Sequence, residues 1–537
     1  MGSAYPTFAA DALARFQRLQ GKKVTFITGT DEHGEKIATS AAAAGKEPKE
    51  FVDSIAEEFK SLWHDLDISY DSFIRTTNDN HEKIVAETIQ RVWDKGDIYR
   101  AEYEGLYCVA CEEYKDEKDL IGTEVDGSGE KIVCPTHRKP CQHRQEDNFF
   151  FKLSNYQSDI ERLFETNPDF VRPTFRKNEV LEWVKDGVRD FSISRAAVEW
   201  GIRIPADPKQ TVYVWFDALL GYVSALLKEG VEPTLENAVA QGWPASVHII
   251  GKDILRFHAV YWPGMLLSAG LPLPRSVFGH GFLTKDGLKM GKSLGNVIEP
   301  TALVKQYGSD AVRYFFLKEV EFGKDGDFSE ERFINIVNAN LANAIGNLLN
   351  RTLGLLKKNC GGALTADASS LPEDHPLRLV TKNAVQKAAE EYTNLQFGAA
   401  GEAALSIAVA GNEYIDTVAP WSQFKKGDAE KAQAALDLLA ILEASRILAI
   451  TLSPIAPRVT QRIYLQLGYS EDDWKAVTWA DTAWGKLKAG QQMAEPKPVF
   501  VRLEAPGSAD EAPTPKPKPA KAQKKQKSEK KPAAVPS

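Results

Sequence analysis

The sequence predicts an α/β domain on a parallel sheet, split by an insertion rich in metal-donor side chains and followed by a wholly α-helical domain. Three observations predict it. Short β-branched or apolar runs at Lys23–Thr28, Thr211–Phe216 and Ser246–Asp253 end in polar or Gly-bounded turns, the grammar of βα units in a parallel sheet. Four of the five cysteines fall between positions 108 and 141, where that grammar breaks. From about residue 332 onward, apolar residues recur at helical spacing between Pro and Gly punctuation.

Composition sets the outer bounds. A chain of 537 residues has room for roughly two to four domains, each with its own core. Hydrophobic content of 43% and charged content of 26% are those of a globular protein. No apolar run approaches the length of about 18 residues needed to cross a bilayer, so no membrane association is expected. The net charge of −8 does not advertise a nucleic-acid partner, but a local basic groove counts for more than the sum. Charge is uneven. Residues 505–537 carry eight lysines against three acids and almost no large apolar side chain, leaving −13 for residues 1–504. Such a segment cannot bury enough surface to fold alone and is expected to be a disordered, Lys-rich tail. So few cysteines over this length argue against a disulfide framework and for a reducing compartment with a metal site.

Taken in order, the chain opens with an amphipathic helix from Ala4 to Leu19, with Phe8, Ala12, Leu13, Phe16 and Leu19 on one face. Asp11 interrupts any secretory pattern there. The Lys23–Thr28 strand runs into Gly29-Thr-Asp-Glu-His-Gly34 and then a helix from about Lys36 to Ala44. Ligands of such sheets bind beyond the carboxyl ends of the strands, which places Asp31, His33, Asp217 and Asp253 near one mouth. The catalytic domain is expected over 1–97 and 206–270, the insertion over 98–205, a connecting segment over 271–331 and the helical domain over 332–504. Its helices are expected at Phe333–Lys357, Leu379–Asn394, Phe397–Ala419 and Ala429–Leu452.

Four motifs carry chemistry. Cys108-x2-Cys111 and Cys134-x2-His137 form two donor pairs around a polar loop, the pattern of a closed tetrahedral Zn²⁺ site with a structural role. Cys141 and His143 are spare donors. Asp31 offers a carboxylate at a strand end, suited to a substrate ammonium group, although helix capping is the competing use of such a residue. Trp215, Tyr222, His258 and Trp262 gather aromatic rings on segments flanking the same mouth; ordinary core packing explains any one of them, but polarizable rings also suit a thioether. Lys289-Met-Gly-Lys-Ser293 puts two ammonium groups and a hydroxyl on a Gly-rich loop, an arrangement for stabilising charge on a reacting triphosphate.

Together these stretches resemble the methionyl-tRNA synthetase family of class I, in its bacterial or organellar form. The resemblance rests on GTDEHGEKI, YCVACEEY with the later CPTH, DFSISR, YVWFDALLGY, GKDILRFHAVYWP, KMGKS and APW, in this order, and covers Gly2 to about Glu504. It implies a Rossmann-type catalytic domain with a zinc-binding connective insertion, a stem-contact segment over 271–331 and an α-helical anticodon-binding domain. It implies ATP with Mg²⁺, L-methionine and tRNA(Met), initiator tRNA included, as partners. Asp31 is then the ligand of the methionine ammonium, and Trp215, Ala218, Tyr222, Ile254, His258 and Trp262 shape the side-chain pocket. Gly2, Ser3, Gly251, Asp253 and Lys292 serve ATP, Asp253 through the ribose. Lys289, Lys292, Ser293 and Arg195 are the catalytic set, and Cys108, Cys111, Cys134 and His137 the metal ligands. Asn347, Arg351 and Trp421 are the anticodon readers, since unstacked RNA bases are commonly read by aromatic stacking.

One signature departs from the family. The HIGH motif, or its HIGS and HMGS variants, is matched only in its last three positions by Met1-Gly2-Ser3. The expectation is that Met1 is an internal methionine, that a first strand and a histidine lie upstream, and that the chain as written is impaired. The alternatives are another class I synthetase, against which Trp215, Tyr222, His258, Trp262 and Trp421 argue, and a noncatalytic tRNA-binding relative, against which the intact KMGKS and Asp31 argue. A monomer in a plastid or mitochondrion is expected, with the cytoplasm as the other option.

Overall fold

The computed structural model describes residues 1–109, 112–115, 120, 123–126, 129–134, 140–285, 287–290 and 297–504. Its parallel strands form three units, one of them Leu283–Lys285 beside Gly326–Phe328. Ile27–Thr30 pairs with Ser72–Arg75, while His248–Gly251 pairs with Val277–His280, which in turn pairs with Val171–Arg172. Among the described residues no ladder joins these units. Gly29 is required where the first pair closes, because a Cβ there would lie 2.2 Å from the Ile74 carbonyl oxygen. Helix Ala4–Leu19 packs on the His248–Gly251 strand, with Phe8, Ala12 and Phe16 buried as their spacing predicts.

Three elements differ from the sequence reading, the first being the opening strand, expected over Lys23–Thr28 and found over Ile27–Thr30. Thr211–Phe216 was expected as a parallel strand. Instead Asp207–Val212 is an antiparallel strand between Ser194–Arg195 and Arg203–Ile204, and the chain turns helical from Val214 to Ser224. A β-branched run cannot distinguish a short strand from the first turn of a buried helix. Val171–Arg172, expected inside the insertion, is an edge strand of the parallel trio. The insertion itself is a four-stranded antiparallel sheet in the order Glu113–Lys115, Ile98–Cys108, Gln142–Phe151 and Phe191–Ser192. Its long hairpin pairs Ile98 through Tyr107 with Phe151 through Gln142.

The helical domain follows the predicted plan with small boundary shifts. Helices run over Glu330–Val337, Leu348–Cys360, Pro376–Thr393, Phe397–Val418 and Asp428–Leu452, with a π-helical stretch at Asn338–Asn347 joining the first two. Helix Asp428–Leu452 is buried on every side from Asp437 to Leu452, so it forms the hub of the bundle rather than one face of it. A fully buried Arg313 on helix Ser309–Glu319 joins the domains. It donates to the carbonyls of Leu66, Pro454 and Ile455 and pairs with Asp11 at 2.6 Å. No helix among the described residues is long and apolar enough to cross a membrane.

Candidate active site

The loop carrying Asp31 is gripped from four directions. Glu32 is buried and salt-bridged to Arg75, its backbone N–H donates to Thr76 Oγ1, and its carbonyl accepts Trp200 Nε1–H at 2.6 Å. Gly34 donates to the Trp200 carbonyl. Glu112, from the metal knuckle of the insertion, accepts the Lys36 N–H at 3.1 Å at the start of helix Glu35–Ala43. Gly34 has φ of +104°, and a Cβ there would lie 2.3 Å from Glu112 Oε1, so glycine is needed on both counts. Arg144 grips Glu35 through two bonds of 2.9 Å.

Asp31 itself opens to solvent at the floor of a cleft while protein crowds around it. That crowding, then the charges of Asp217 and Glu32, push its carboxyl up to about 6, against the opposing pull of His81 and His33.

Beside it lie the predicted pocket residues. Tyr222 hydroxyl is 2.8 Å from His258 Nε2, and His258 Nδ1 is 3.0 Å from the Ile254 carbonyl. Only the Nδ1–H tautomer satisfies both bonds, leaving Nε2 to accept from the tyrosine. Burial lowers His258 to about 4, so the imidazole is neutral and suits an uncharged side chain. Trp215 stacks on Phe257 with ring centroids 4.3 Å apart. Ala218 and Ile254 are half-buried around the same helices. Trp262 is fully buried and donates to His248 Nε2 at 3.3 Å. His248, which packs 4.3 Å from the Tyr222 ring, escaped sequence reasoning. A histidine in an apolar strand, Val-His-Ile-Ile, was the available signal.

Beyond the same strand end sit the residues expected to serve ATP. Asp253 is exposed, and a Cβ on Gly251 would lie 2.4 Å from its Oδ1 and 3.9 Å from His280 Nε2. His280 was not predicted. Lys252 makes two 2.8 Å bonds to Asp325, which also accepts the Phe282 N–H, tying this turn to the strand Leu283–Lys285 that starts the lysine loop. The Lys289 backbone pairs with Thr284, whereas Lys292 and Ser293 lie outside the described residues. Gly2 and Ser3 are exposed at the start of the first helix, and the Met1 amino group donates to the Ile298 carbonyl just past that loop. Arg195 does not open onto the cleft. Its buried guanidinium is 4.1 Å from the Tyr213 ring, with Tyr107 and Tyr114 also around it, and it donates to Ser192 Oγ and the Ser194 carbonyl.

In the metal knuckle, Cys108 and Cys134 are buried, and Cys141 lies close enough to both that burial and then those two neighbours push its thiol up to about 11. Cys111 and His137 lie outside the described residues, and no three donors among the described residues gather tightly enough to hold an ion. Thiols are the soft donors that Zn²⁺ takes, so the residue types suit the expected ion although the described residues alone do not assemble its site. In the helical domain, Arg351 lies 4.8 Å over the Trp421 ring and pairs with Asp416, while Asn347 is exposed one turn before Arg351. The three predicted readers therefore share one exposed face.

An α/β core with parallel strands, split by an antiparallel insertion and followed by a helical domain, is the architecture of a class I aminoacyl-tRNA synthetase, and the family matches agree. Residues 1–353 match the family model described as tRNA synthetases class I (M), and residues 365–511 match the anticodon binding domain of methionyl tRNA ligase. The chain belongs to the methionyl-tRNA synthetase family. It is 61% identical to the chloroplastic/mitochondrial methionine–tRNA ligase of Arabidopsis thaliana over 94% of this chain and 80% of that protein. It is 52% identical to the methionine–tRNA ligase of Nostoc sp., covering 94% of each. Among solved structures it is similar to Mycobacterium tuberculosis methionyl-tRNA synthetase in complex with methionyl-adenylate, with a TM-score of 0.87, 36% identity, and coverage of 93% of this chain and 96% of that one.

Proposed function

We propose that this chain activates L-methionine with Mg·ATP and transfers the methionyl group to tRNA(Met), initiator tRNA included. The observation that carries the reading is the pairing of a cleft carboxylate, Asp31, with a neutral pocket in which Tyr222 donates to His258. Asp31 takes the ammonium, and the thioether enters among Trp215, Ala218, Tyr222, Ile254, His258 and Trp262. The methionine carboxylate then attacks the α-phosphorus of ATP, and pyrophosphate leaves. Gly251 admits the nucleotide and Asp253 takes the ribose, with Gly2 and Ser3 at the neighbouring helix start. Lys289, Lys292 and Ser293 stabilise the charge that moves onto the leaving pyrophosphate, so the rate comes from positioning and electrostatics. A hydroxyl of the terminal tRNA adenosine, the 2′-OH in class I chemistry, then attacks the methionyl carbonyl of the adenylate, AMP leaves, and the hydroxyl proton is released. Arg195, caged between insertion and core, supports the site by fixing the two together. Amino-acid-dependent ATP–pyrophosphate exchange tests this reading: methionine must support it, and exchange with isoleucine, valine, leucine or cysteine instead overturns the assignment.

Asn347, Arg351 and Trp421 read the anticodon. Replacing Trp421 with Ala removes one stacking platform, worth about 1–3 kcal/mol per base. The expected result is a tRNA KM raised by about tenfold or more, with methionine-dependent exchange unchanged. Equal loss in both assays would place Trp421 in the fold instead.

Cys108, Cys111, Cys134 and His137 hold one structural Zn²⁺, with Cys141 beside them. When bound, the ion closes the loop between the two donor pairs. Metal analysis is expected to find about one zinc per chain, and chelation is expected to loosen proteolytic protection of residues 98–150 before the helical domain. A zinc-free protein with the same protection rejects the site. The likeness to the Arabidopsis protein supports action in a plastid or mitochondrion rather than the cytoplasm, which organelle imaging of the tagged full gene product tests.

A further inference from the structure

Beneath Asp31 lies a buried polar chain that the reaction above does not use. Asp217 on helix Val214–Ser224 is 1% exposed, and an imidazole holds each of its oxygens. His33 Nδ1 lies 2.7 Å from Oδ2, and His81 Nε2 lies 2.5 Å from Oδ1. His81 Nδ1 is in turn 2.8 Å from Ser224 Oγ. The chain joins three elements: the Asp31 loop, helix Asp79–Asp94 and the helix that carries Trp215, Ala218 and Tyr222. A carboxylate this deep persists only when its lone pairs are filled by donors. Burial would raise Asp217, but the hydrogen bonds from His33 and His81 outweigh it and hold the carboxyl below its usual range. The bond to Asp217 likewise raises His33 against its own burial.

We propose that His81 is a positioning residue for methionine activation: through Asp217 it fixes the Asp31 loop to the pocket helix and offsets the negative charge beneath Asp31. This rests on the reading of Asp31 as the ammonium ligand. The charged and titratable groups facing Asp31 are Asp217 and Tyr222 from the pocket helix, His81 from helix Asp79–Asp94, and Glu32 and His33 from its own loop. Glu82 faces His33. Glu32 is already matched by Arg75. Asp217 is the strongest charge raising Asp31 and His81 the strongest lowering it. Without the His81 imidazole, Asp31 must take up its proton at a higher pH.

The test is methionine-dependent ATP–pyrophosphate exchange across about pH 5 to 9 for the unaltered protein, His81→Leu, His81→Gln and Asp31→Asn. The unaltered protein is expected to lose methionine affinity as pH falls through about 6. In His81→Leu that acid limb is expected to move up by about one pH unit, with methionine KM at neutral pH raised by about tenfold and ATP KM unchanged. His81→Gln restores an N–H for Asp217 without an imidazole. It is expected to recover the KM on the alkaline side while keeping the shifted limb, and it decides the matter if His81→Leu does not fold. An unmoved limb in a folded His81 variant, with Asp31→Asn impaired, overturns the role of His81 alone. Undiminished methionine affinity in Asp31→Asn overturns the ammonium reading and this inference with it.

Discussion

Asp31→Asn is expected to cut kcat/KM for methionine in ATP–pyrophosphate exchange by about 30- to 3000-fold, the equivalent of roughly 2–5 kcal/mol for one partner removed from a confined charge pair. The wide range reflects the cleft, which is open to solvent yet crowded by protein. Asparagine keeps the shape and loses the charge, so ATP KM is expected to change little. Stability is expected to hold or rise. A carboxyl whose folded value is raised loses stabilisation as pH rises through that value, so at neutral pH the ionised Asp31 costs the fold something beside Asp217. A variant with lower stability and intact methionine KM would mean that Asp31 serves structure rather than substrate.

Arg313→Met is expected to cost about 3–5 kcal/mol, the range for breaking a buried ion pair from one side. The guanidinium is wholly buried, and methionine can fill its volume but supplies none of the donors that reach Leu66, Pro454 and Ile455. Asp11 keeps Arg15 and Ser69, which limits the loss. Asp11 is held below the ordinary carboxylate range, burial opposing and Arg313 and Arg15 prevailing. Its contribution is therefore present at neutral pH and lost on acidification, and in the variant less of it remains to lose. Because the carbonyls belong to both the catalytic part and the bundle, aminoacylation should fall further than exchange. Urea unfolding and the ratio of the two activities check this. A shift below about 1 kcal/mol would mean that Arg313 is no more than a surface-type pair.

Much of the site was legible in the sequence because each motif occupies one short stretch. Asp31, Trp215, Tyr222 and His258 were singled out from strand-end placement and aromatic clustering, and the structure sets Tyr222 against His258 and close to Asp31. The helices of the bundle were readable from apolar periodicity, to within a few residues. Thr211–Phe216 was misread because a mostly apolar run of this length fits a buried strand and a helix start equally well. His81 and Glu112 were illegible because each acts across a long sequence gap. His81 meets Asp217 136 positions away, and Glu112 meets Lys36 76 positions away.

The sequence by itself determined the order of the parts, the family resemblance, the spacing of the Cys and His pairs and the residue types around Asp31, since local spacing and composition encode these. Tertiary structure alone decided which charges face one another: the two imidazoles on Asp217 beneath Asp31, the tyrosine cage around Arg195, the Lys252–Asp325 tie to the lysine loop, and Arg313 bridging the domains. Spacing along the chain fixes what a segment can become. The field at a buried carboxylate depends on distances of a few ångströms between segments, and only the packed fold sets those.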